Sequence, residues 1–145
     1  MKCNIILLLF LLPPISFAQS SYDIYEKSIN KCIAIEKEKP SVTKDDVKHI
    51  EYEKIYKYLS ILKNLRIQKC SYKEEMQALV DELSLKDDVI NTKNLRDRYL
   101  SIYNKHRLNT LSDKEKKELD TLEKSFKNKN LEIKILKLMD SLKNE

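Results

Sequence analysis

Glycine is missing from all 145 residues of the chain, and proline occurs only at positions 13, 14 and 40. Two-residue β-hairpins and many tight turns rely on glycine for positive φ, so its absence argues against a sheet protein. Cysteine is scarce too: Cys3, Cys32 and Cys70 are the full set, with no Cys-x-x-Cys pair. That excludes a thioredoxin-like redox site. The remaining soft ligands are His49 and His106, neither at a recognisable ligand spacing, so neither a metal site nor any other cofactor is expected. No apolar run long enough to cross a bilayer follows the first twenty residues, and no stable membrane span is expected in the mature chain.

The chain opens with Lys2, an unbroken apolar run from Ile5 to Leu12, the pair Pro13-Pro14, and then Ser16-Phe17-Ala18. A basic start, a short apolar core and small residues at −3 and −1 predict a signal peptide over residues 1–18, cleaved before Gln19. The run falls short of the roughly 20 residues that span a membrane. Residues 19–145 are then a single domain working in the periplasm or outside the cell. Cys3 leaves with the peptide, and an oxidising compartment favours a disulfide between Cys32 and Cys70.

Lys, Glu, Leu and Ile recur at spacings of three and four through the mature sequence, which predicts an all-α fold, a small helical bundle of four to six helices stapled by that disulfide. The first helix is expected from Tyr22 to Glu38, with Tyr22, Tyr25, Ile29, Cys32 and Ile33 inward and Pro40 ending it. Thr43 with Asp46 reads as a capping box opening a second helix, and Ser71 with Glu74 as a further start signal. Residues 44–84 are therefore either one long helix or two. Lys86-Asp87-Asp88 and Asn91-Thr92 read as the next connection. Beyond it a third unit places Leu95, Tyr99, Ile102 and His106 on one face. Ser112 with Glu115 caps a fourth helix bearing Leu119, Leu122 and Phe126. A last helix carries Ile133, Leu136, Met139 and Leu142. If Asn128-Lys129-Asn130 does not interrupt it, the seam from 119 to 140 is instead a dimerising coiled coil, so a homodimer is an open alternative.

The cysteines constrain this layout. Cys32 lies about 12 Å before the end of helix one, whereas Cys70 lies roughly 40 Å along an unbroken helix that begins near residue 44. Bridged Cα atoms approach within about 7 Å. Two straight helices joined as a hairpin cannot meet that condition, so the second helix is expected to break between Asn64 and Lys69, or the bond joins two chains.

No convincing active site emerges, and the protein is not expected to be an enzyme. His49 and Glu53 could form a base and its orienter, but an i,i+4 surface pair is the commoner meaning. Asp45-Asp46 and Glu74-Glu75 are explained by helix starts. Charge is uneven: residues 19–90 hold 13 basic and 14 acidic side chains, residues 91–145 hold 14 and 9. Within the basic C-terminal third, Arg96, Tyr103 and Arg107 stand at steps of seven and four, a candidate protein-binding face beside the Leu95-Tyr99-Ile102 stripe. Tyr52 and Tyr56, with Tyr58, supply more aromatic surface than one helix face buries, and are further binding candidates. The expected partner is another exported protein of acidic character. Export makes nucleic acid a poor ligand.

The layout of signal peptide, short helices and one cysteine pair resembles small exported helical proteins of Gram-negative bacteria, including immunity proteins that block antibacterial effectors and periplasmic inhibitors of lysozyme. Such a resemblance implies a protein-binding inhibitor that occludes an effector or wall hydrolase, and it carries no residue assignments. The start Leu111-Ser112-Asp113-Lys114-Glu115 also resembles faintly the Leu-Thr-x-x-Gln segments of periplasmic stress chaperones, which implies the alternative of an envelope structural or stress-response protein, self-associating.

Overall fold

The computed structural model describes residues 19–84, 92–132 and 134–143. Residues 1–18, where a signal peptide is expected, the Lys86-Asp87-Asp88 connection with Asn91, and Ile133 lie outside the described residues. The rest is all α: α1 Ser21–Lys37, α2 Lys44–Val47, α3 Tyr52–Ser84, α4 Thr92–Arg98, α5 Leu100–Asn109, α6 Asp113–Ser125 and α7 Ile135–Lys143. Among the described residues none has positive φ, so every turn is built without the conformation that glycine supplies most readily. The excess of segments over the expected helices is slight in substance. α2 is one turn, and α4 and α5 are the two halves of the third unit.

α3 is the axis of the fold. Its 33 residues extend about 50 Å, and each half has its own core. Around the N-terminal half, Val47, Ile55, Leu59, Ile61 and Leu62 pack with Leu119, Leu122, Phe126, Leu131 and Ile135. Around the C-terminal half, Ala78 packs with Tyr25 of α1 and with Leu95 and Tyr99. α1 lies antiparallel to this second half: Glu36 meets Arg66, Cys32 meets Cys70 and Ser28 meets Glu74, one sequence rising as the other falls.

Cys32 and Cys70 form an intramolecular disulfide with their Cα atoms 5.9 Å apart, and α3 runs through Cys70 without the expected break. The break lies earlier, at residues 48–51. α1 therefore pairs with the far half of α3, and residues 38–51 return past the near half as a short extended stretch followed by α2. The Thr43–Asp46 capping box is present, with both the amide and hydroxyl of Thr43 donating to the Asp46 carboxylate at 2.8 Å, but it opens only a single turn. Tertiary contacts hold the return: Val47 is fully buried, Lys129 pairs with Asp46, and the Asn130 amide donates to the Pro40 carbonyl.

Ser71 caps nothing. It is buried in mid-helix and donates to the Ile67 carbonyl. The Ser112–Glu115 box, by contrast, opens α6 as expected. α6 ends at Ser125, and the described residues from Phe126 to Glu132 are not helical, so the continuous seam of a coiled coil does not form. In α7 the covered positions are Ile135, Leu138, Met139 and Leu142, and Leu136 points outward.

Two buried carboxylates tie the helices together. Glu36 of α1 accepts from Arg66 of α3 at 2.7 Å, from Lys39 and from the Leu131 amide, while Arg66 also donates to the carbonyls of Phe126 and Lys129. Burial pushes the Glu36 carboxyl up, but the hydrogen bonds from Lys39, Arg66 and Leu131 outweigh it and hold the group below the ordinary carboxylate value. Glu75 of α3 is fully buried and faces the start of α5, where the Ser101 amide donates to it at 2.5 Å and the Leu100 amide donates to the Tyr25 hydroxyl. Tyr99 is extended, with φ −118° and ψ 120°, and parts α4 from α5. A carboxylate borrowed from another helix thus caps α5, and the positive end of that helix favours the buried negative charge.

Candidate functional site

The basic and aromatic stretch from Lys93 to Arg107 divides into a brace and a surface. Tyr99 is buried and donates to the Ala78 carbonyl and to Glu82. Burial first, then Glu82, pushes its phenol up. Arg98 lies over the Tyr22 ring at 4.1 Å and pairs with Glu82 at 2.7 Å, and the rings of Tyr25 and Tyr99 stack at 5.8 Å. These residues lock α1 onto α3 and α4. Arg96 ion-pairs with Asp97 at 3.7 Å. Because the chain is extended at Tyr99, the seven-residue step from Arg96 to Tyr103 does not run along one helix, and the expected shared face fails at that point.

Tyr103 and Arg107 do share α5. The Arg107 guanidinium lies 5.7 Å from the Tyr103 ring centre and donates to the Ser60 hydroxyl at 3.0 Å. Ser60 is one turn beyond Tyr56 on α3, so the fold brings two candidate groups from distant parts of the sequence onto one side of the molecule. Tyr56 is 49 % exposed. Across from it α7 presents Leu136, 65 % exposed, and the two residues line a surface groove of about 420 Å³ with Lys134, Ile135 and Lys137. Further along, Tyr52 is half-buried against the core and carries Lys143 over its ring at 5.4 Å. Tyr58, the third tyrosine of this helix, is buried and donates to Glu118 at 2.5 Å.

The surface so built has an apolar centre, Tyr56 and Leu136, with cations around it. Lys134 and Lys137 have no carboxylate partner among the described residues, whereas the nearby Lys63 pairs with Glu132. The exposed carboxylate of Glu53 lies one turn before Tyr56. Leu136, Lys134 and Lys137 had no signal in the sequence, where Leu136 reads as a core position of the last helix. Comparison with known proteins adds no match: no family model, curated protein or solved structure is similar to the chain.

A second concavity, of about 430 Å³, lies between the start of α3 and α6 and is lined by His49, Ile50, Lys54, Tyr58, Glu118 and Leu122 among others. His49 sits in the turn before α3, so it and Glu53 are not partners along one helix. Three polar groups of this cleft engage one another. Tyr58 and Lys54 both reach Glu118, whose carboxyl the Tyr58 hydroxyl and then Lys54 hold below the ordinary value despite some burial. His106 is exposed at the end of α5. Among the described residues no group of His, Cys, Asp and Glu is arranged to hold a metal ion.

Proposed function

We propose that the protein is an exported, non-enzymatic interaction domain that occludes an acidic protein, an effector or a wall hydrolase, through the face centred on Tyr56. The observation that carries this reading is the exposed Tyr56–Leu136 pair flanked by Lys134 and Lys137, with Arg107 held on Ser60 one turn along α3. Tyrosine and arginine contribute strongly to protein interfaces when a partner desolvates them, and surrounding positive charge speeds encounter with an acidic surface. Tyr103 and Tyr52 extend the same face at its two ends, while Arg96 falls outside it.

The test is affinity for a co-purifying partner, measured with Tyr56→Ala and Leu136→Ser and with Arg96→Ala as a comparison. The first two weaken binding by tenfold or more, on the order of 1.4 kcal/mol each, and Arg96→Ala leaves it unchanged. Equal loss in all three, or none, removes the face from the account. The alternative is a self-associating envelope protein. Sedimentation over a range of concentrations distinguishes the two: a monomer throughout supports occlusion, a reversible dimer the alternative.

A further inference from the structure

The disulfide joins α1 to α3 through a buried Cys32 and an exposed Cys70. On α1, Ile24, Lys31 and Ile35 follow one another at steps of seven and four. On α3, Lys69, Lys73, Met76 and Val80 do so at steps of four, three and four, with Tyr72 beside them. Ile35 and Lys69 line one groove with both cysteines, and Lys69 and Tyr72 line the next, so the two helices present a continuous face. Ile24 and Ile35 are exposed, and Tyr72 and Val80 are 53 % and 58 % exposed. Lys31, Lys69 and Lys73 are exposed and have no carboxylate partner among the described residues. Every Asp and Glu of the C-terminal half of α3 points elsewhere: Glu74 to Ser28, Glu75 and Glu82 toward α4 and α5, and Asp81 to Gln77. Glu123 of α6 stands at the edge of the groove.

From this geometry we propose that the α1–α3 face is a peripheral docking surface for an anionic phospholipid bilayer. Like charge decides against a second copy, because the lysines of two such faces would meet one another. The remaining occupants are anionic, and the shape favours a membrane. Two antiparallel helices clamped by a disulfide and the Glu36–Arg66 pair make a flat platform about 25 Å long. Its apolar residues are spread singly among the lysines instead of gathered round a cleft. Aliphatic side chains enter the boundary between headgroups and acyl chains, a tyrosine suits the headgroup level, and lysines reach outward to lipid phosphates.

The experiment is vesicle sedimentation of the naturally processed protein with phosphatidylcholine vesicles, with and without phosphatidylglycerol. Binding is expected only with the anionic lipid, and it falls when added salt shortens the screening length from about 10 Å to about 3 Å. A lysine beside an anionic surface is worth about fivefold in partitioning, about 1 kcal/mol. Lys31→Gln, Lys69→Gln and Lys73→Gln together therefore reduce binding on the order of 100-fold. The matched triple Lys105→Gln, Lys116→Gln and Lys117→Gln removes the same charge from other surfaces and leaves binding within about twofold. Tyr72→Ser with Val80→Ser, chosen because both side chains are exposed, weakens binding at high salt as well as low. Equal binding to neutral vesicles, equal loss in both lysine triples, binding to soluble polyglutamate but not to vesicles, or a dimer abolished by the first triple would each overturn the proposal.

Discussion

Replacing Arg66 with methionine removes a side chain that, with Glu36, joins α1, α3 and the segment between α6 and α7. Methionine keeps much of the volume and none of the donors. Glu36, only 4 % exposed, would keep Lys39 and the Leu131 amide but lose its guanidinium partner on α3, and the Phe126 and Lys129 carbonyls would lose a donor. Breaking a buried ion pair from one side costs about 3–5 kcal/mol, because the other charge stays buried. A domain of this size has about 5–15 kcal/mol in total, so R66M approaches the limit of folding. The assay is urea unfolding followed by helical circular dichroism. Adding Glu36→Leu to R66M should restore much of the loss, because both charges then leave together. Glu36→Gln tests the charge alone. The folded carboxyl titrates below its unfolded value near 4.5, so its contribution is complete above that value and is lost as pH falls through the lower folded one. Wild type should therefore lose stability on acidification more steeply than Glu36→Gln. An R66M variant that unfolds at the wild-type urea concentration, or a double variant as weak as the sum of the singles, refutes the reasoning.

The disulfide closes a segment with a sequence separation of 38, for which loop entropy gives about 4 kcal/mol. Cys32→Ser with Cys70→Ser should lower the thermal midpoint while the helical spectrum remains, and identical unfolding of the two proteins would show that the bond contributes nothing. Glu75→Leu removes the cap of α5 and should cost about 1–2 kcal/mol, with faster amide exchange at Leu100 and Ser101 as the local readout. Unchanged exchange there would mean that Glu75 does not cap α5. Amino-terminal sequencing of the protein recovered from its native host should begin at Gln19, and a product that retains Met1 would contradict a cleaved signal peptide.

Local chemistry made part of this fold legible. The absence of glycine and the three-and-four spacing indicate helix, and the boxes at Thr43 and Ser112 mark real starts. The same rule misleads at Ser71 because the sequence of a cap does not distinguish a helix end from a polar seam between helices. Ser71, Glu75 and Asn104 are buried polar residues whose positions make sense only once α1 and α5 stand against α3. The break before Tyr52 carries neither glycine nor proline, and the segment that leads into it is held at Pro40 and Asp46 by Asn130 and Lys129, far along the chain. The binding face divides similarly. Tyr56 and Arg107 stand out as residue types, but their meeting through Ser60 is tertiary. Leu136 is set by the phase of α7, whose first residue determines which leucines turn inward.

A photoreactive amino acid placed at Tyr56 tests the central proposal most directly, with one at Leu136 and one at the exposed control position Glu38, each in the protein expressed in its native host. Irradiation should give one discrete adduct with an acidic exported protein from Tyr56 and Leu136, suppressed by salt, and none from Glu38. No adduct from either position, or the same adducts from all three, would contradict the reading of this face as the binding site.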